Sequence, residues 1–573
     1  MKPIISILLV CIVQLTVAYS QPKKDLDKYV FQDSVLITMP DGGTVCAFIA
    51  YNKNAEKQPC QFYYNIYAIE YDSADKNYIA ENILDRGYAA VEVNTRGKKC
   101  STDPITPFEH DAYDAYYIID WISKQPWCNG KIGMEGGSYL GFAQWAATKK
   151  LHPALKTIIP MVSVGAGIDF PDQSGVFMSY ALLWLHYVTD NKTTNDEAFS
   201  DTAKWNKVFN LYYKNGYKFS QLDSLEGNKN AIFQRWLSHP TYDSYWQKMT
   251  PQTNEFSKIN IPVLTITGYW DDDQVGAMYY YKQHLLYNKN ANHYLIIGPY
   301  SHTTIGGIDT LLGYPLDSIA KIRGWKVADK WFEYTLKNGP KPEFLEGKVN
   351  FEIAGKNVWK HVASLDKMSN GSLQLYIQDG KLTSNKPDHL KYVSQTIDLK
   401  ERNHIKPQGG NVMNFQKLSI DSLQLLPEQL EFVSDVIENP IALSGNFEGN
   451  FIISTNKKDL DIVVDLYELQ PNGKYLALSE NMQRASLAKD KTKRQLLKPN
   501  TIETIKLSNT FTICRQLSKG SRIVVVLGIN KNPYYQINYG TGKDVSQEDM
   551  NDATEPVTIK WYNNSNIKFK TLQ

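Results

Sequence analysis

The sequence predicts an α/β fold with a helical insertion, followed by an all-β domain. Three observations support this prediction. Strand-like and helix-like segments alternate from residue 35 to residue 164, aromatic residues at helical spacing fill residues 165–258, and strand-like segments follow one another almost without helices after residue 340. Alternating strands and helices are typical of a doubly wound parallel sheet, whereas a run of strands alone is typical of a β-sandwich.

The length of 573 residues calls for more than one domain, and an apolar share of 42% is enough for sizeable cores. We predict a signal peptide over residues 1–20 and a first part of the α/β core over 21–164. A helical cap over 165–258 follows, then the second part of the core over 259–340 and a β-sandwich over 341–573.

The N-terminus has the features of a secretory signal peptide. Lys2 precedes a short apolar run over residues 4–13, and the small residues Ala18 and Ser20 precede Gln21. A basic start, a short apolar stretch and small residues before the cleavage point are typical of such signals. We therefore expect cleavage near Ser20 and an exported protein, periplasmic or secreted, without a membrane-spanning segment.

The first part of the core begins with a predicted hairpin around Asp41-Gly42. A helix over residues 78–86 should end at Gly87, and a buried strand over 88–93 follows it. Residues 112–124 have apolar positions at helical spacing, and the next strand leads to a glycine-rich turn. The chain thus repeats the strand–helix alternation of a parallel sheet.

The later segments follow the same logic. Helices are predicted in the cap at 179–188, 203–213 and 231–237, strands at 261–267 and 294–297, and an amphipathic helix at 319–336. Between residues 351 and 561 nearly every apolar segment has the alternation of a strand, which predicts the sandwich.

A serine stands between a strand-like segment and a helix-like segment at residues 131–150. Gly136 and Ser138 fit the G-x-S-x-G pattern of a nucleophile elbow, in which a strained turn exposes the serine hydroxyl. Leu140 occupies the place of the second glycine, and Gly141 follows one residue later. An ordinary turn serine explains the pattern equally well when it is taken alone.

An acid and a histidine follow the serine in the order found in hydrolases that have a nucleophile elbow. Asp271 comes directly after the strand at 261–267 and its Gly-Tyr-Trp extension, and His302 comes shortly after the strand at 294–297. Serine, acid and histidine at the carboxyl ends of core strands can form a catalytic triad. A solvated Asp turn and a surface histidine are the alternatives for each residue taken singly.

Charge and cysteine content limit the partners. A net charge of +2 leaves no basic excess to neutralise phosphates, so we expect no nucleic-acid partner. After removal of the signal, Cys46, Cys60, Cys100, Cys128 and Cys514 remain. An odd number leaves a free thiol, for which Cys514 is the best candidate. Cys46–Cys60 and Cys100–Cys128 are candidate disulfides that sequence alone cannot settle. No cysteine or histidine cluster predicts a metal, and the sequence indicates no cofactor.

Three loops together resemble one known family. They are Gly136-Gly137-Ser138-Tyr139-Leu140-Gly141, Gly268-Tyr269-Trp270-Asp271 and Gly298-Pro299-Tyr300-Ser301-His302. They resemble the signature loops of the X-prolyl dipeptidyl-peptidase and cocaine-esterase family of hydrolases, which includes the α-amino acid ester hydrolases. The resemblance covers nearly all of the mature chain. It implies an α/β-hydrolase core with an inserted helical cap and a C-terminal jelly-roll sandwich, and it accounts for the displaced glycine.

The resemblance also implies roles. Ser138 is the expected nucleophile, His302 the base and Asp271 the residue that orients the base. The backbone N–H of Tyr139 and the hydroxyl of Tyr67 are the expected donors of the oxyanion hole. A packed tyrosine is the alternative for Tyr67.

Substrate binding is expected from residues near the triad. In the α-amino acid ester hydrolases a carboxylate cluster holds the substrate's α-ammonium, and Asp172 and Asp273 match two of its members. Gln274 stands at the place of a third carboxylate, so the site should be less negative than in those enzymes. Trp270 is expected to contact the substrate. Solvated loop carboxylates are the alternative for Asp172 and Asp273.

The sequence thus predicts an exported serine hydrolase of small esters or amides, or of short peptides. An X-prolyl-type dipeptidyl peptidase is the alternative within this class. A catalytically inert glycan- or peptide-binding protein is the alternative from another class, because jelly rolls and abundant aromatic residues suit sugar binding. The oligomeric state, including a homo-oligomer, stays open.

Overall fold

The computed structural model describes residues 26–303, 305, 308–403, 417–507 and 509–573. The predicted signal peptide lies outside the described residues and stays a prediction. Among the residues that are described, no helix combines the length and apolar character needed to cross a membrane.

The α/β part is built on a mixed sheet. Its strands and the short hairpins beside it are β1 (Tyr29–Thr38), β2 (Thr44–Asn52), β3 (Gln58–Asn65), β4 (Ala89–Asn94), β5 (Cys128–Ser138), β6 (Leu155–Ser163), β7 (Asp172–Gln173), β8 (Val176–Phe177), β9 (Val263–Trp270), β10 (His293–Ser301), β11 (Thr310–Leu311), β12 (Tyr314–Pro315), β13 (Val349–Ile353) and β14 (Val358–Val362). The main sheet has the order β1-β2-β4-β3-β5-β6-β9-β10-β13-β14. Strands β4 to β13 in this order pair in parallel. Such strands are buried on both faces, and β9 is buried along its whole length.

Helices cover the sheet and form the cap. They are α1 (Ser73–Asn82), α2 (Asp111–Ser123), α3 (Tyr139–Thr148), α4 (Tyr180–Thr189), α5 (Asp196–Ser200), α6 (Thr202–Asn215), α7 (Leu222–Glu226), α8 (Ala231–Leu237), α9 (Ser244–Gln247), α10 (Gln274–Tyr287) and α11 (Gly324–Lys337). Helix α3 packs on β5 and β6. Helix α11 covers the other face of the sheet, with Trp331 and Phe332 in the same apolar cluster as Ile159 of β6. Helices α4 to α9 stand between β8 and β9, which confirms the inserted helical cap.

The C-terminal region is all-β. Its strands are β15 (Gly371–Gln378), β16 (Lys381–Thr383), β17 (Tyr392–Ile397), β18 (Ser419–Ile420), β19 (Gln429–Ser434), β20 (Ile441–Asn446), β21 (Glu448–Thr455), β22 (Asp461–Leu469), β23 (Tyr475–Arg484), β24 (Glu503–Leu507), β25 (Thr512–Leu517), β26 (Arg522–Ile529), β27 (Val557–Tyr562) and β28 (Asn566–Leu572). They join one extensive sheet system that is mostly antiparallel. The all-β class is confirmed, whereas the specific jelly-roll form stays a prediction.

The all-β domain packs directly on the cap. The backbone N–H of Gln536 donates to the carbonyl of Phe177 at 2.9 Å. The Ser179 hydroxyl donates to the carbonyl of Pro533 at 3.0 Å. The segment that opens the cap is therefore held by loops of the C-terminal domain, close to the edge of the sheet where β5 ends.

Two features differ from the sequence prediction. The strand predicted near residue 351 was assigned to the sandwich, but β13 pairs in parallel with β10 and extends the core sheet. Sequence periodicity cannot distinguish a core strand from a sandwich strand when both are apolar. The disulfide joins Cys46 to Cys100, so both candidate pairings were wrong. Cys60, Cys128 and Cys514 are free and buried, as expected for Cys514.

Candidate active site

Ser138 occupies a strained turn between β5 and α3. Its backbone has φ of 59° and ψ of −124°, a conformation that residues with a side chain rarely adopt. A Cβ at Gly141 would lie 2.8 Å from Cα of Ser163. Gly141 is therefore the glycine that allows α3 to approach β6 closely. Leu140, at the usual place of that glycine, packs against Gly136. The geometry matches the predicted elbow.

Asp271 and His302 meet at the ends of β9 and β10. The register of these strands pairs Trp270 with Ser301, so the residues that follow are neighbours. Nδ1 of His302 lies 3.1 Å from Oδ1 of Asp271. Asp271 is fully buried, and its carboxylate also accepts from the Thr267 hydroxyl at 2.6 Å. The carboxylate is thus held in one orientation toward the imidazole.

The sheet brings all three loops to one edge. Strands β5, β6, β9 and β10 are consecutive in the sheet, and Ser138, Asp271 and His302 stand at or just beyond the carboxyl ends of β5, β9 and β10. Ligand sites of open α/β sheets lie at this edge. Ser138 and His302 are both partly exposed there, so a substrate can reach them.

Carboxylates crowd the histidine. The Asp272 and Asp273 carboxylates lie 3.6 Å and 3.5 Å from Nδ1 of His302. Asp169 lies near the same group, and its carboxylate accepts from the backbone N–H of Gly165 at 2.8 Å. Burial first, and then the charges of Asp271 and Asp272, raise the pKa of Asp169 well above its usual range. Burial also raises the pKas of Asp272 and Asp273, although His302 lowers them.

The pKa of His302 reflects this crowding. Burial alone would lower it, but the charges of Asp272 and Asp273 and the hydrogen bond that His302 donates to Asp271 outweigh burial and raise the pKa to about 10. One ligand atom each from Asp271, Asp272 and His302 lie within 4.8 Å of one another, so these residues could also hold a cation. The same short distances would allow a proton to pass between His302 and the carboxylates.

The two expected oxyanion donors flank the serine. The Tyr67 hydroxyl lies 3.5 Å from Oγ of Ser138. The backbone N–H of Tyr139 is the first of α3, and such groups lack a partner inside the helix and carry its positive dipole. The Tyr139 ring is held by its hydroxyl, which donates to Asp111 at 2.9 Å and accepts from the Phe108 N–H at 2.9 Å.

Two residues expected to bind substrate have other contacts. The Gln274 amide donates to the Gly268 carbonyl and accepts from the Thr512 N–H, and its side chain is buried. The indole of Trp270 is also buried and donates to the carbonyl of Ala477 at 3.0 Å. Both polar groups are thus occupied by backbone, and they tie β9 and α10 to the all-β domain.

Asp172 also differs from the expectation. Its carboxylate accepts from the Gly175 N–H at 2.6 Å and faces the charges of Arg484 and Lys491 of the all-β domain. Burial raises the pKa of Asp172 to about 6, despite these two cations. Asp169, three residues earlier, approaches Asp273 in its place, so the site carries more carboxylates than predicted.

Sequence reasoning also missed Trp184 and Asp272. The indole N–H of Trp184 donates to the Tyr67 hydroxyl at 3.2 Å. Asp272 stood inside the Asp271-Asp272-Asp273 run, where only the outer two residues were given roles. The run itself was the signal for Asp272, whereas nothing in the local sequence distinguishes Trp184 from the other aromatic residues of the cap.

The family models match both parts of the chain. Residues 38–304 match the X-Pro dipeptidyl-peptidase (S15 family) model, and residues 357–560 match the model of the X-Pro dipeptidyl-peptidase C-terminal non-catalytic domain. The chain is 22% identical over 503 residues to the cocaine esterase of Rhodococcus sp., covering 82% of this chain and 85% of that one. A shorter match, 28% over 115 residues, is to the Xaa-Pro dipeptidyl-peptidase of Lactobacillus helveticus, with 17% of this chain and 14% of that one.

Solved structures share the whole architecture. An aminopeptidase from a marine sediment Thaumarchaeota archaeon superposes with a TM-score of 0.83 at 19% identity, covering 99% of this chain and all of that one. An α-amino acid ester hydrolase superposes with a TM-score of 0.81 at 20% identity, covering both chains completely. At these identities the likeness shows the fold. The two family models, with the cocaine esterase relative, show that the chain belongs to the X-Pro dipeptidyl-peptidase and cocaine esterase family of serine hydrolases.

Proposed function

We propose that this protein cleaves ester or amide bonds through an acyl-enzyme on Ser138, with Asp271 and His302 completing the triad. The observation that carries the proposal is the 3.1 Å contact between His302 and the buried Asp271 at the sheet edge where the strained Ser138 stands. A serine hydroxyl needs such a base, and the base needs an oriented partner.

The proposed reaction passes one proton through His302 in each of its two steps, from Ser138 to the leaving group and then from water back to Ser138. Oγ of Ser138 attacks the acyl carbon, and Nε2 of His302 takes the hydroxyl proton while Nδ1 stays directed at Asp271. The same proton then passes to the leaving oxygen or nitrogen as its bond to the acyl carbon breaks. Water repeats the attack on the acyl-enzyme, gives its proton to His302, and the acid leaves as Ser138 is reprotonated.

The negative charge that develops on the carbonyl oxygen needs donors. We assign them to the Tyr67 hydroxyl and the backbone N–H of Tyr139. The 3.5 Å distance between the Tyr67 hydroxyl and Oγ of Ser138 supports the first. The position of Tyr139 at the start of α3, where helix N–H groups attract anions, supports the second.

The carboxylates around His302 suggest substrates with an α-ammonium group. Asp169, Asp272 and Asp273 place three carboxyl groups in a largely buried site, and a bound ammonium would favour their charged forms, because an opposite charge lowers the pKa of a carboxyl. The carboxylates would in turn compensate the desolvated cation. A bound ammonium would also offset the charges that raise the pKa of His302, and so would favour the neutral imidazole that the reaction needs. Esters and amides of amino acids are therefore the proposed substrates.

An exopeptidase that releases N-terminal units is the second candidate. The same carboxylates would hold the free amino terminus of a peptide, and the similarity to an Xaa-Pro dipeptidyl-peptidase and to the fold of an aminopeptidase favours it. An inert binding protein gains no such support, because the chain belongs to a family of serine hydrolases.

Export is proposed on two grounds. The N-terminal segment has the pattern of a signal peptide, and the Cys46–Cys100 disulfide suits an oxidising compartment.

A turnover panel tests the function. Purified protein and the Ser138→Ala variant are compared on aminoacyl esters, the matching N-acetylated esters and dipeptidyl amides. We expect Ser138-dependent turnover, with kcat/KM for the free-amino esters about 10- to 100-fold above that for their acetylated forms, because a close, desolvated charge pair is worth about tenfold or more in affinity. Equal rates with and without the amino group would contradict the proposed substrate class. Preference for dipeptidyl amides over all esters would select the exopeptidase.

A further inference from the structure

The side chain of Trp184 contacts both residues assigned to the oxyanion hole, through the hydroxyl of Tyr67 and the ring of Tyr139. Its indole N–H donates to the Tyr67 hydroxyl at 3.2 Å, and its ring meets that of Tyr67 edge-on at 6.5 Å. On its other side the indole stacks on Tyr139 at 6.1 Å, with 25° between the ring planes. One buried residue of the cap therefore contacts both core residues that supply the donors, but it bonds directly to only one donor group, the Tyr67 hydroxyl.

The direction of this hydrogen bond has a chemical consequence. An indole N–H can only donate, so the Tyr67 oxygen must accept. A lone pair of that oxygen is then occupied on the side of Trp184, and the phenolic hydrogen points elsewhere. Accepting a hydrogen bond also makes a hydroxyl a better donor. Oγ of Ser138 lies 3.5 Å away and would bond the acyl carbon, so the carbonyl oxygen of a substrate would develop charge beside it, within reach of the Tyr67 hydroxyl.

We propose that Trp184 is a positioning residue that aims and strengthens the Tyr67 donor. This inference rests on the proposed function, because it requires Tyr67 to act in the oxyanion hole. Trp184 itself touches no reacting atom in this scheme, and it acts only through the Tyr67 hydroxyl.

Packing holds the indole in place. Trp184 is 5% exposed, stacks on Phe108 at 5.7 Å and lies parallel to Trp236 at 6.3 Å. It also meets Phe170 edge-on at 5.1 Å. An indole with aromatic rings on several sides has little freedom to rotate, so the direction of its N–H is fixed before substrate binds.

The helix that carries Trp184 is anchored to the core at its end. Lys98, in the loop after β4, donates from Nζ to the carbonyls of Val188, Asn191 and Thr193 at 2.7 Å, 3.0 Å and 2.9 Å. Lys192 reaches back and donates to the carbonyl of Gly97 at 2.7 Å. Two lysines, one from each segment, thus hold the loop after β4 against the end of α4.

The same loop is tied covalently to the sheet. Cys100 lies two residues after Lys98 and is joined to Cys46 of β2. The disulfide, the pair of lysines and α4 form a continuous connection from the central sheet to the indole, so the cap cannot shift at Trp184 without breaking buried contacts.

A double-mutant cycle tests the proposal on the full-length enzyme. The variants are Trp184→Phe, Tyr67→Phe and the double variant, measured as kcat and KM on one turnover substrate. Trp184→Phe keeps a ring and removes the N–H. Trp236→Phe is the matched control, because the Trp236 indole belongs to the same aromatic group and its N–H has no partner among the described residues. Melting temperatures report on folding.

We expect Trp184→Phe to lower kcat about 10-fold with little change in KM, the effect of one polarising neutral hydrogen bond. In the Tyr67→Phe background the same change should cost less than about 2-fold, since its target is gone. Trp236→Phe should leave kcat within about 2-fold.

Equal losses in both backgrounds, or an equal loss in Trp236→Phe, would show that Trp184 acts by packing and would overturn the proposal while Tyr67 keeps its role. An unchanged rate in Tyr67→Phe alone would instead refute the oxyanion assignment on which the proposal rests.

Discussion

The two halves of the candidate active site are built from different groups. On one side of Ser138 stand Tyr67, Tyr139 and Trp184, which are neutral and packed in an aromatic cluster. On the other side stand His302 and the carboxylates around it, which are charged and perturb one another. The first half is suited to hold a fixed geometry, and the second is suited to move protons.

The two halves are also anchored in different parts of the molecule. The neutral half depends on the cap helix α4 and the loop stapled by Cys46–Cys100. The charged half is tied to the all-β domain, since Gln274 bonds to Thr512 and Trp270 to the carbonyl of Ala477. The C-terminal domain is thus part of the support of the acid–base residues and not only a wall beside the cleft.

The largest expected effect is on the charged half. Asp271→Asn should lower kcat about 10⁴-fold, because an amide neither stabilises the imidazolium nor holds the required tautomer. The measurement is kcat on a chromogenic ester with the melting temperature as a check of folding. A loss below about 10-fold in a folded variant would place the orienting acid elsewhere in the carboxylate group.

A smaller effect is expected on the neutral half. Tyr67→Phe should lower kcat by about 10²–10³-fold, the usual cost of one oxyanion donor. Because the group removed is neutral, the pH dependence of kcat/KM should keep its shape. A pH profile that shifts along with the rate would show that Tyr67 also affects the charged groups, and would contradict the division of the site into a neutral and a charged half.

The smallest effect is a shift in pH dependence. The neighbouring carboxylates raise the pKa of His302, and His302 can accept a proton only when neutral. Asp272→Asn removes one of these charges, so the pKa should fall and the acidic limb of kcat/KM should move to lower pH by about one unit. Profiles measured with an uncharged acyl ester check this.

Asp196→Asn, an exposed change in the cap, is the matched control for that profile. An acidic limb that stays in place or moves to higher pH would contradict the assignment of the limb to His302.

Much of the fold followed from the sequence. The strand–helix alternation, the cap helix over 231–237 and the elbow were predicted, and the structure has α8 at Ala231–Leu237 and Ser138 at positive φ. These features depend on local patterns, namely helical spacing and a glycine-flanked turn. The order of serine, acid and histidine likewise predicted three loops at one sheet edge, because parallel strands bring their carboxyl ends together.

Features that depend on long-range packing could not be predicted from the sequence. Asp169 approaches Asp273, Gln274 bonds to Thr512, and Trp184 bonds to Tyr67. Each of these contacts joins segments that are more than about 100 residues apart in the sequence. The pairing of Cys46 with Cys100 depends on how β2 meets the loop after β4. Local sequence does not encode such distances, so the role predicted for Asp172 from its position in a motif stays a prediction.

In the proposed reaction Ser138 carries the acyl group. Reaction of the purified enzyme with a fluorophosphonate, followed by proteolysis and mass spectrometry, identifies the nucleophile. We expect one adduct, on the peptide that contains Ser138, with labelling abolished in Ser138→Ala and slowed strongly in His302→Ala. An adduct on a different serine, or turnover of ester substrates by Ser138→Ala at the wild-type rate, would contradict it.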